Sequence, residues 1–393
     1  MRVCAVICEY NPFHLGHAYH LRAAREASGA DYILCLMSGA LTQRGAFARH
    51  DKWLRARTAL ENGADVVLEL PTRFACAPAP DFAGGGVALL TALGVVTHLS
   101  FGCEPSALPL LASAASLFKA ESPAFSAALR ARLAEGLPYP RARALAAEQA
   151  ENLPADLLAQ PNAALALEYL QALPDTVVPV PVARRGSGYH DASLSALSSA
   201  TAVRAALARG DLPDALSAVP SPEALRAAEE SGFVHEEEAL TQALLYRLRT
   251  ARPDELAALY GMDEGLENRF LFAARTCSSR EALLDAVKTR RYTRARLSRL
   301  CAYTLLNLTR DFADANRTPD YARVLGFRKS AAPLLKAVKQ RSAIPLITKA
   351  ADFDRNRKNF ALDVLAQDLW SLGVLNPSLR TSGRDFTTSP VIL

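Results

Sequence analysis

Two histidines near the amino terminus have the type and spacing best suited to chemistry in this chain. His14 and His17 are separated by two residues, the second of them Gly16, and they follow a short apolar run at residues 3–7. That run predicts a buried first strand, and residues 21–27 predict a helix. The histidines therefore lie in the turn between a first strand and a first helix.

A turn of this kind suits phosphate binding. The free amides at a helix amino terminus carry partial positive charge, and open α/β sheets bind nucleotides at that point. Gly16 permits close approach of the backbone to a phosphate. The imidazoles of His14 and His17 can donate hydrogen bonds to phosphoryl oxygens as charge builds there. The pattern predicts a nucleotide-binding turn in which both histidines take part in catalysis.

Two other interpretations of the same histidines stay open. Residues at i and i+3 could supply half of a zinc site, or the pair could belong to a purely structural turn that caps the helix. No cluster of Cys, Asp or Glu at metal-ligand spacing lies nearby in the sequence. We therefore predict no protein-bound metal.

A second helix start, much farther along the chain, carries hydroxyls and an arginine. Ser199 and Thr201 can cap this helix, and Arg204 lies about one turn along on the same side. The arrangement predicts a second phosphate cradle with Arg204 as a further catalytic group; an ordinary cap with a surface arginine is the alternative. A basic, Gly-rich loop precedes it, in which Arg184 or Arg185 can contact phosphate.

The elements that must hold these groups alternate in type. Glycine and proline mark the turns, and Ala/Leu-rich segments between apolar runs predict helices. The predicted strands lie at residues 3–7, 31–37, 65–71, 97–101 and 176–182, and a further short strand is predicted at 345–349. This alternation predicts an α/β fold with a Rossmann-like parallel sheet and right-handed crossovers, and ligands are expected at the carboxyl ends of its strands.

Two cations open the predicted helix at residues 51–62. Lys52 and Arg55 oppose the helix dipole at that position, which indicates that they face an anion. Ordinary surface positions are the alternative.

The second half of the chain differs in pattern. A chain of 393 residues should form about two domains, and a Pro/Ser-containing linker at residues 210–222 precedes a series of predicted helices. We therefore divide the chain into a catalytic nucleotide-binding domain, residues 1–215, and a mainly α-helical C-terminal domain, residues 216–393. The C-terminal segment from Gly373 onward is expected to be loosely structured.

Composition limits the class of protein. Hydrophobic residues make up 50% of the chain and charged residues 22%, which is ordinary for a globular protein. There is no run of 18 apolar residues and the first predicted strand begins at residue 3, so we expect neither a membrane span nor a signal peptide. The seven scattered cysteines are expected to be reduced thiols in a cytoplasmic protein.

The net charge of +5 is unevenly distributed. Residues 1–239 contain 19 Lys and Arg against 25 Asp and Glu, whereas residues 240–393 contain 26 against 15. A basic second half predicts a polyanionic partner, with a solvated basic surface as the alternative. Arginines interleaved with Tyr292 suit a nucleic-acid backbone and one stacked base. The candidate nucleic-acid contacts are Arg290, Arg291, Arg294, Arg296 and Arg299.

Longer blocks of sequence surround these groups. They are Glu9-Tyr10-Asn11-Pro12-Phe13-His14-x-Gly16-His17, Met37-Ser38-Gly39, Gln43-Arg44-Gly45, Lys52-Trp53, Gly63-Ala64-Asp65, Glu69-Leu70-Pro71, Phe101-Gly102-x-Glu104, Pro161-Asn162, Glu168-Tyr169-Leu170, Gly188-Tyr189-His190-Asp191, Ser199-Ala200-Thr201-Ala202-Val203-Arg204, Arg291-Tyr292-Thr293-x-x-Arg296 and Ile344-Pro345-Leu346-Ile347-Thr348-Lys349. Together they closely resemble, over nearly the full length, the bacterial tRNA(Met) cytidine acetate ligase family, a group of HIGH-type nucleotidyltransferases. The chain departs from the family pattern at Ala40-Leu41, where an Asn-Phe pair is expected, and at Leu15, where a polar residue is common.

The resemblance implies an ATP-dependent ligase that acetylates the wobble cytidine of elongator tRNA(Met). Acetate would attack the α-phosphate of ATP to give acetyl-adenylate and pyrophosphate, and the exocyclic amine of the cytidine would then take the acetyl group. Mg²⁺ is expected to arrive with the nucleotide. Another adenylyltransferase of this fold, or a non-catalytic tRNA- or ribosome-binding protein, is the alternative.

The ATP site that the resemblance implies combines the first turn with later segments. With the second cradle added, the predicted ATP-binding residues are Ile7, Cys8, Glu9, Tyr10, Asn11, Pro12, Phe13, His14, Leu15, Gly16, His17, Ala18, Tyr19, His20, Gly102, Asn162, Arg184, Arg185, Ser199 and Thr201. His14, His17 and Arg204 are the predicted catalytic residues.

Overall fold

An eight-stranded sheet organises the fold, which we describe from a computed structural model over residues 1–158, 160–183, 199–354 and 356–393. Its strands are β1 (Val3–Cys8), β2 (Tyr32–Ser38), β3 (Val66–Leu70), β4 (His98–Gly102), β5 (Val178–Val182), β6 (Ala322–Phe327), β7 (Leu346–Ile347) and β8 (Val391–Ile392). The strand order is β5-β4-β1-β2-β3-β6-β7, and β8 also pairs with β6. The predicted Arg184, Arg185 and the block at 188–191 lie outside the described residues.

Helices connect the strands and build most of the second half. They are α1 (Leu15–Ser28), α2 (Lys52–Glu61), α3 (Thr72–Ala75), α4 (Ala79–Ala92), α5 (Leu108–Lys119), α6 (Pro123–Ala134), α7 (Tyr139–Glu151), α8 (Ala155–Leu158), α9 (Pro161–Ala172), α10 (Ala200–Ala208), α11 (Leu212–Ser217), α12 (Glu223–Ser231), α13 (Thr241–Thr250), α14 (Pro253–Ala257), α15 (Leu266–Ala274), α16 (Arg280–Val287), α17 (Arg294–Leu306), α18 (Arg310–Ala315), α19 (Ala332–Arg341), α20 (Lys358–Leu372) and α21 (Arg384–Thr387). Among the described residues, no helix is both long and apolar enough to cross a membrane.

The order of the first five strands locates the ligand crevice. All of their pairings are parallel, which confirms the predicted Rossmann-like sheet. The chain runs from β1 outward to β2 and β3, and it then returns to place β4 on the other side of β1. Loops after β1 and β4 therefore leave in opposite directions, and a crevice opens between them at the carboxyl end of the sheet.

The sheet also crosses the predicted boundary between residues 215 and 216. β6 pairs antiparallel with β3, and both β7 and β8 pair with β6. β6 was not predicted, and the pairing of β8 shows that the expectation of a loosely structured end was wrong there. The predicted linker at 210–222 likewise contains α11, which packs on α10. The division into a catalytic domain, residues 1–215, and a mainly helical domain, residues 216–393, stays a prediction.

Hydrophobic cores cover both faces of the sheet. On one face the core includes α4 to α9 and α19, and on the other it includes α1 and α2. A third core joins helices of the second half, α13 to α17 and α20, to Leu41 and Phe47 in the loop after β2. That loop is thus held by the C-terminal helices while it follows a strand of the sheet.

A buried group of four charges ties β6 and α21 to the middle of the sheet. Lys52 Nζ lies 2.7 Å from Glu69 Oε1 and 2.7 Å from Asp385 Oδ1. Arg323 Nη1 lies 3.2 Å from Glu69 Oε2 and also contacts Asp385. Two positive and two negative side chains, each at most 4% exposed, therefore neutralise one another. The anion predicted to face Lys52 is a pair of the protein's own carboxylates.

Candidate active site

The turn between β1 and α1 fixes the orientation of both histidines. His14 is the N-cap of α1, and its Nδ1 accepts a hydrogen bond from the amide of Gly16 at 3.1 Å. His17 Nδ1 accepts one from the amide of His14 at 3.3 Å, and the two ring centroids are 3.7 Å apart. Since Nδ1 acts as an acceptor in each neutral ring, the ring proton resides on Nε2. Both imidazoles are therefore set to donate from Nε2.

The position of the His14 ring leaves no room for a side chain at Gly16. A Cβ added at Gly16 would lie 2.8 Å from Cε1 and 3.0 Å from Nδ1 of His14, closer than real Cβ contacts allow. We expect Gly16→Ala to displace the ring by a few tenths of an ångström and to lower ATP-dependent activity roughly tenfold, because small misplacements of catalytic groups are costly. Steady-state kinetics against ATP checks this, with Gly84→Ala as the control, since a Cβ added at Gly84 meets no atom within 4 Å. Unchanged kinetics for Gly16→Ala would contradict it.

The second predicted cradle lies directly beside the first. Ser199 is the N-cap of α10, and its hydroxyl accepts a hydrogen bond from the amide of Ala202 at 3.2 Å. Arg204 donates to the backbone carbonyl of Asn11 in the first turn, and its Nη2 donates to Thr201 Oγ1 at 3.3 Å. The guanidinium therefore joins two helix starts that lie almost 200 residues apart in the sequence.

Both cradles open into one cavity of about 680 Å³ at the carboxyl ends of β1 and β4. The predicted site residues that line it are Ile7, Cys8, Glu9, Tyr10, Asn11, His14, Gly16, His17, Tyr19, His20, Gly102, Asn162, Ser199, Thr201 and Arg204. The volume is that of a typical small-ligand site. The structure thus brings together fifteen of the predicted residues at one place.

Four other predicted ATP-binding residues do not line the cavity, namely Pro12, Phe13, Leu15 and Ala18. Phe13 is only 1% exposed, and its ring packs against Tyr10 and His17 beneath the turn. The amide of Leu15 donates to the carbonyl of Ala218 at 2.9 Å. Phe13 and Leu15 thus support the turn through packing and a backbone hydrogen bond.

The loop at residues 42–49 is the main part of the cavity wall that was not predicted as a site. The amide of Gln43 donates to Glu9 Oε1 at 2.7 Å, and the amide of Arg49 donates to Asn11 Oδ1 at 3.0 Å. The signal in the sequence was the block at 43–45, which carried no assigned role. Ala40 and Leu41, where the chain departs from the family pattern, are buried in the core and do not line the cavity.

Arg55 braces the same region from within the protein. Its guanidinium donates to the backbone carbonyls of Glu9 at 2.6 Å and Ser38 at 3.0 Å, and it also contacts that of Gly39. Burial lowers the pKa of this arginine to about 10. Arg55 was predicted to face an anion, and that prediction is wrong for these contacts, which are all carbonyl oxygens of the strand ends.

An ion-pair group connects the loop to the second half of the chain. Arg49 makes a bidentate contact with Glu229, Nε to Oε1 at 2.8 Å and Nη2 to Oε2 at 2.7 Å, and its Nη1 lies 2.6 Å from Glu236 Oε1. His50 Nε2 lies 2.8 Å from Glu229 Oε1. Burial alone would raise the pKa of the Glu229 carboxyl, but the bonds from Arg49 and His50 outweigh it and lower that pKa to about 2.

The depressed pKa of Glu229 makes its contribution to stability depend on pH. Its ordinary value is 4.5, so the contribution is complete above that pH and is lost as the pH falls toward 2. We expect Glu229→Gln to lower the free energy of unfolding by roughly 2 kcal/mol near pH 6 and by much less near pH 3. Urea unfolding at both pH values measures it, with the exposed Glu230→Gln as the control. An equal loss at both pH values would contradict the expectation.

The predicted nucleic-acid arginines fall into two groups. Arg290, Arg291 and Arg294 are exposed and Arg296 is half-buried; the last three pair with the carboxylates of Asp263, Glu264, Glu281 and Asp285.

Arg299 is different, because it is only 8% exposed and its Nη1 donates to the carbonyl of Gln43 at 3.1 Å. Its prediction as a nucleic-acid contact is wrong in this structure, since one face of α17 packs on the loop. Tyr292 is also buried, at 7% exposed, so it offers no free ring for stacking.

Comparison with known proteins places this geometry in a family. The family model described as HIGH Nucleotidyl Transferase matches residues 1–385. The tRNA(Met) cytidine acetate ligase of Halothermothrix orenii is 36% identical over 100% of this chain and 99% of its own length. That of Syntrophotalea carbinolica is 39% identical over 88% of this chain and 85% of its own.

Solved structures agree over the whole chain. The crystal structure of Thermotoga maritima TmcAL bound with alpha-thio ATP (form II) superposes with a TM-score of 0.92 at 30% identity, and the apo form I does so with 0.93 at 31%. Each comparison covers 100% of both chains. The chain therefore belongs to the HIGH nucleotidyl transferase family and, within it, to the tRNA(Met) cytidine acetate ligases.

Proposed function

We propose that the protein is an ATP-dependent ligase that activates acetate as acetyl-adenylate and transfers the acetyl group to the wobble cytidine of elongator tRNA(Met), giving N4-acetylcytidine. The observation that carries the proposal is the meeting of both predicted phosphate cradles in one cavity of a chain that matches these ligases over its full length. We also propose that it acts in the cytoplasm, where tRNA and ATP are available.

In the first step, an oxygen of acetate attacks the α-phosphorus, and the bond to pyrophosphate breaks. The Nε2 protons of His14 and His17 would bond phosphoryl oxygens as the charge on those oxygens increases. The amides at the start of α10, with Thr201 and Arg204, are suited to the departing pyrophosphate. The cavity would thus bind the triphosphate between the two helix starts.

In the second step, the lone pair of the cytidine amine attacks the acetyl carbonyl carbon. The new C–N bond forms, the bond from that carbon to the phosphate oxygen breaks, AMP leaves with the electron pair, and the amine proton passes to water. No protein nucleophile is needed, and burial raises the pKa of the nearby Cys8 thiol well above its ordinary value, which keeps it protonated.

Mg²⁺ would enter with the nucleotide. In the part of the chain that the structure describes, no group of three or more His, Cys, Asp or Glu side chains is arranged to hold a metal ion. We therefore propose that phosphate oxygens and water supply most of its ligands. The ion would neutralise phosphate charge next to the histidines.

The tests separate this function from its alternatives. The purified protein should exchange labelled pyrophosphate into ATP only when acetate is present, and it should acetylate tRNA(Met). Exchange driven instead by another substrate, such as a phosphopantetheine-like compound, would indicate a different adenylyltransferase; ATP binding without any exchange would indicate a non-catalytic RNA-binding protein. Mass spectrometry of tRNA nucleosides from a strain lacking the gene should show loss of acetylcytidine, and its persistence would refute the proposal.

For the tRNA, we propose contacts through Arg290, Arg291, Arg294 and Arg296. We expect Arg290→Ala/Arg291→Ala to weaken tRNA binding and to reduce the slope of log affinity against log salt by about 1 to 2, since each phosphate contact releases roughly one counterion. Binding measured at several salt concentrations checks this. Arg317→Ala, which removes an exposed arginine elsewhere, is the control. An unchanged slope in the double variant would contradict the proposal that these arginines contact the tRNA.

A further inference from the structure

One cluster of residues that line the cavity has chemistry that phosphate binding does not use. It is formed by residues 46–49 of the loop and by residues 235–237, which precede α13. We define the acceptor subsite as Phe47, Arg49, His235 and Glu236, all of which line the cavity. The Glu236 side chain is 44% exposed, so it is the accessible polar group of this subsite.

The charge of the subsite disfavours anions. Arg49 is shared between Glu229 and Glu236, so the three side chains together carry one net negative charge. His50 adds none at neutral pH, because burial lowers its pKa despite the contact with Glu229. Neighbouring Glu237 is paired with Arg280, Oε1 to Nε at 3.2 Å. Like charges repel strongly in a partly buried site, so a triphosphate or an acetate ion is a poor occupant here.

His235 adds a second acceptor. Its Nδ1 lies 2.8 Å from the backbone carbonyl oxygen of Trp370, and a carbonyl only accepts, so Nδ1 carries the proton. Nε2 is left as an acceptor, and it is buried without a hydrogen-bond partner in the described parts of the chain. The residue is only 3% exposed, and burial lowers its pKa to about 4, so the ring stays neutral. The subsite thus offers the Glu236 carboxylate as its accessible acceptor, beside a neutral imidazole and an apolar wall from Phe47.

We propose that the acceptor subsite binds the amine-bearing base that receives the acetyl group, with the Glu236 carboxylate accepting a hydrogen bond from the exocyclic amine. This inference rests on the proposed function. Carboxylates are the side chains that recognise the N4 amine of cytosine, whereas uracil has a carbonyl oxygen at that position, which a carboxylate repels. Glu236 would therefore select cytidine over uridine while the histidine turn holds ATP.

The experiment compares two tRNA transcripts that differ only in C or U at the acceptor position. Wild-type protein should bind the C form about tenfold more tightly, and Glu236→Gln should reduce this ratio to less than about threefold, because an amide can pair with either base. Acetate-dependent exchange of pyrophosphate into ATP should fall less than tRNA acetylation does, because the exchange reaction does not involve the acceptor base. Glu236→Asp, which keeps the charge, should keep a preference for C.

The control is Glu238→Gln, which removes a carboxylate two residues along that does not line the cavity. An unchanged C/U ratio in Glu236→Gln would overturn the inference, and so would a loss of exchange in parallel with acetyl transfer in both Glu236 variants. If wild-type protein shows neither exchange nor tRNA acetylation, the proposed function itself fails. Because the C/U ratio is a binding measurement, the two failures can be told apart.

Discussion

Replacing His17 by asparagine is expected to slow acetate-dependent exchange of pyrophosphate into ATP roughly 100-fold or more, whereas glutamine should retain more activity. The asparagine oxygen can occupy the place of Nδ1 and accept from the His14 amide, a bond of 3.3 Å in the structure, but asparagine has no donor at the position of Nε2. Glutamine offers an N–H close to Nε2. Loss of one donor to a developing oxyanion typically costs a factor of 10²–10³.

This pair of variants also separates catalysis from helix capping. If His17 were only part of a cap, asparagine would be the milder change, and the loss of exchange would follow the loss of thermal stability. His98→Asn, at a strand position outside the cavity lining, is the control for removing a histidine. A larger loss in His17→Gln than in His17→Asn would contradict the donor role.

The largest effect on stability is expected from Asp385→Ala. The change leaves Lys52 and Arg323 buried with Glu69 as their remaining carboxylate partner. Breaking a buried ion pair on one side typically costs about 3–5 kcal/mol, because an uncompensated charge stays in the protein interior. Urea unfolding at neutral pH measures the difference in the free energy of unfolding between wild type and variant, from the midpoint of the transition and the dependence of that free energy on urea concentration.

A double variant tests the physical reason. Lys52→Met/Asp385→Leu removes one charge of each sign and leaves Arg323 paired with Glu69, so it should recover most of the stability lost in Asp385→Ala. Burial acts to raise the pKa of Asp385, but Lys52 and Arg323 lower it below its ordinary value, so the wild-type contribution should be lost as the pH falls below about 4. A cost below about 1 kcal/mol for Asp385→Ala would contradict the importance of this group.

The strands of the sheet could be predicted where they are continuous apolar runs. β6 is a strand that could not be predicted in this way. Arg323 is the second residue of β6 and looks like a surface residue in the sequence. Its charge is neutralised by Glu69 and Asp385, which lie 254 and 62 residues away. No local pattern contains that information, because tertiary contacts alone make an arginine acceptable inside a sheet.

The residues of the candidate site likewise fall into those that local sequence patterns predicted and those that they did not. His14, His17, Ser199 and Thr201 were found because helix starts follow local rules of spacing and capping. Glu236 carried no such signal, since its place at the cavity depends on how Arg49 and the C-terminal helices meet. Arg299 and Tyr292 show a related limit, because the local sequence did not reveal that Arg299 packs on the loop or that Tyr292, just before α17, is buried.

The late position of β6 in the chain has a consequence for folding. β3 ends at Leu70 and β6 begins at Ala322, so at about 5–20 residues per second a ribosome needs roughly 10–50 s to deliver the partner strand. During that time a nearly complete parallel sheet presents the unpaired edge of β3, the kind of edge that promotes association between nascent chains. Since α2 packs on a face of the sheet and leaves this edge open, a chaperone would protect the growing protein until its own strand arrives.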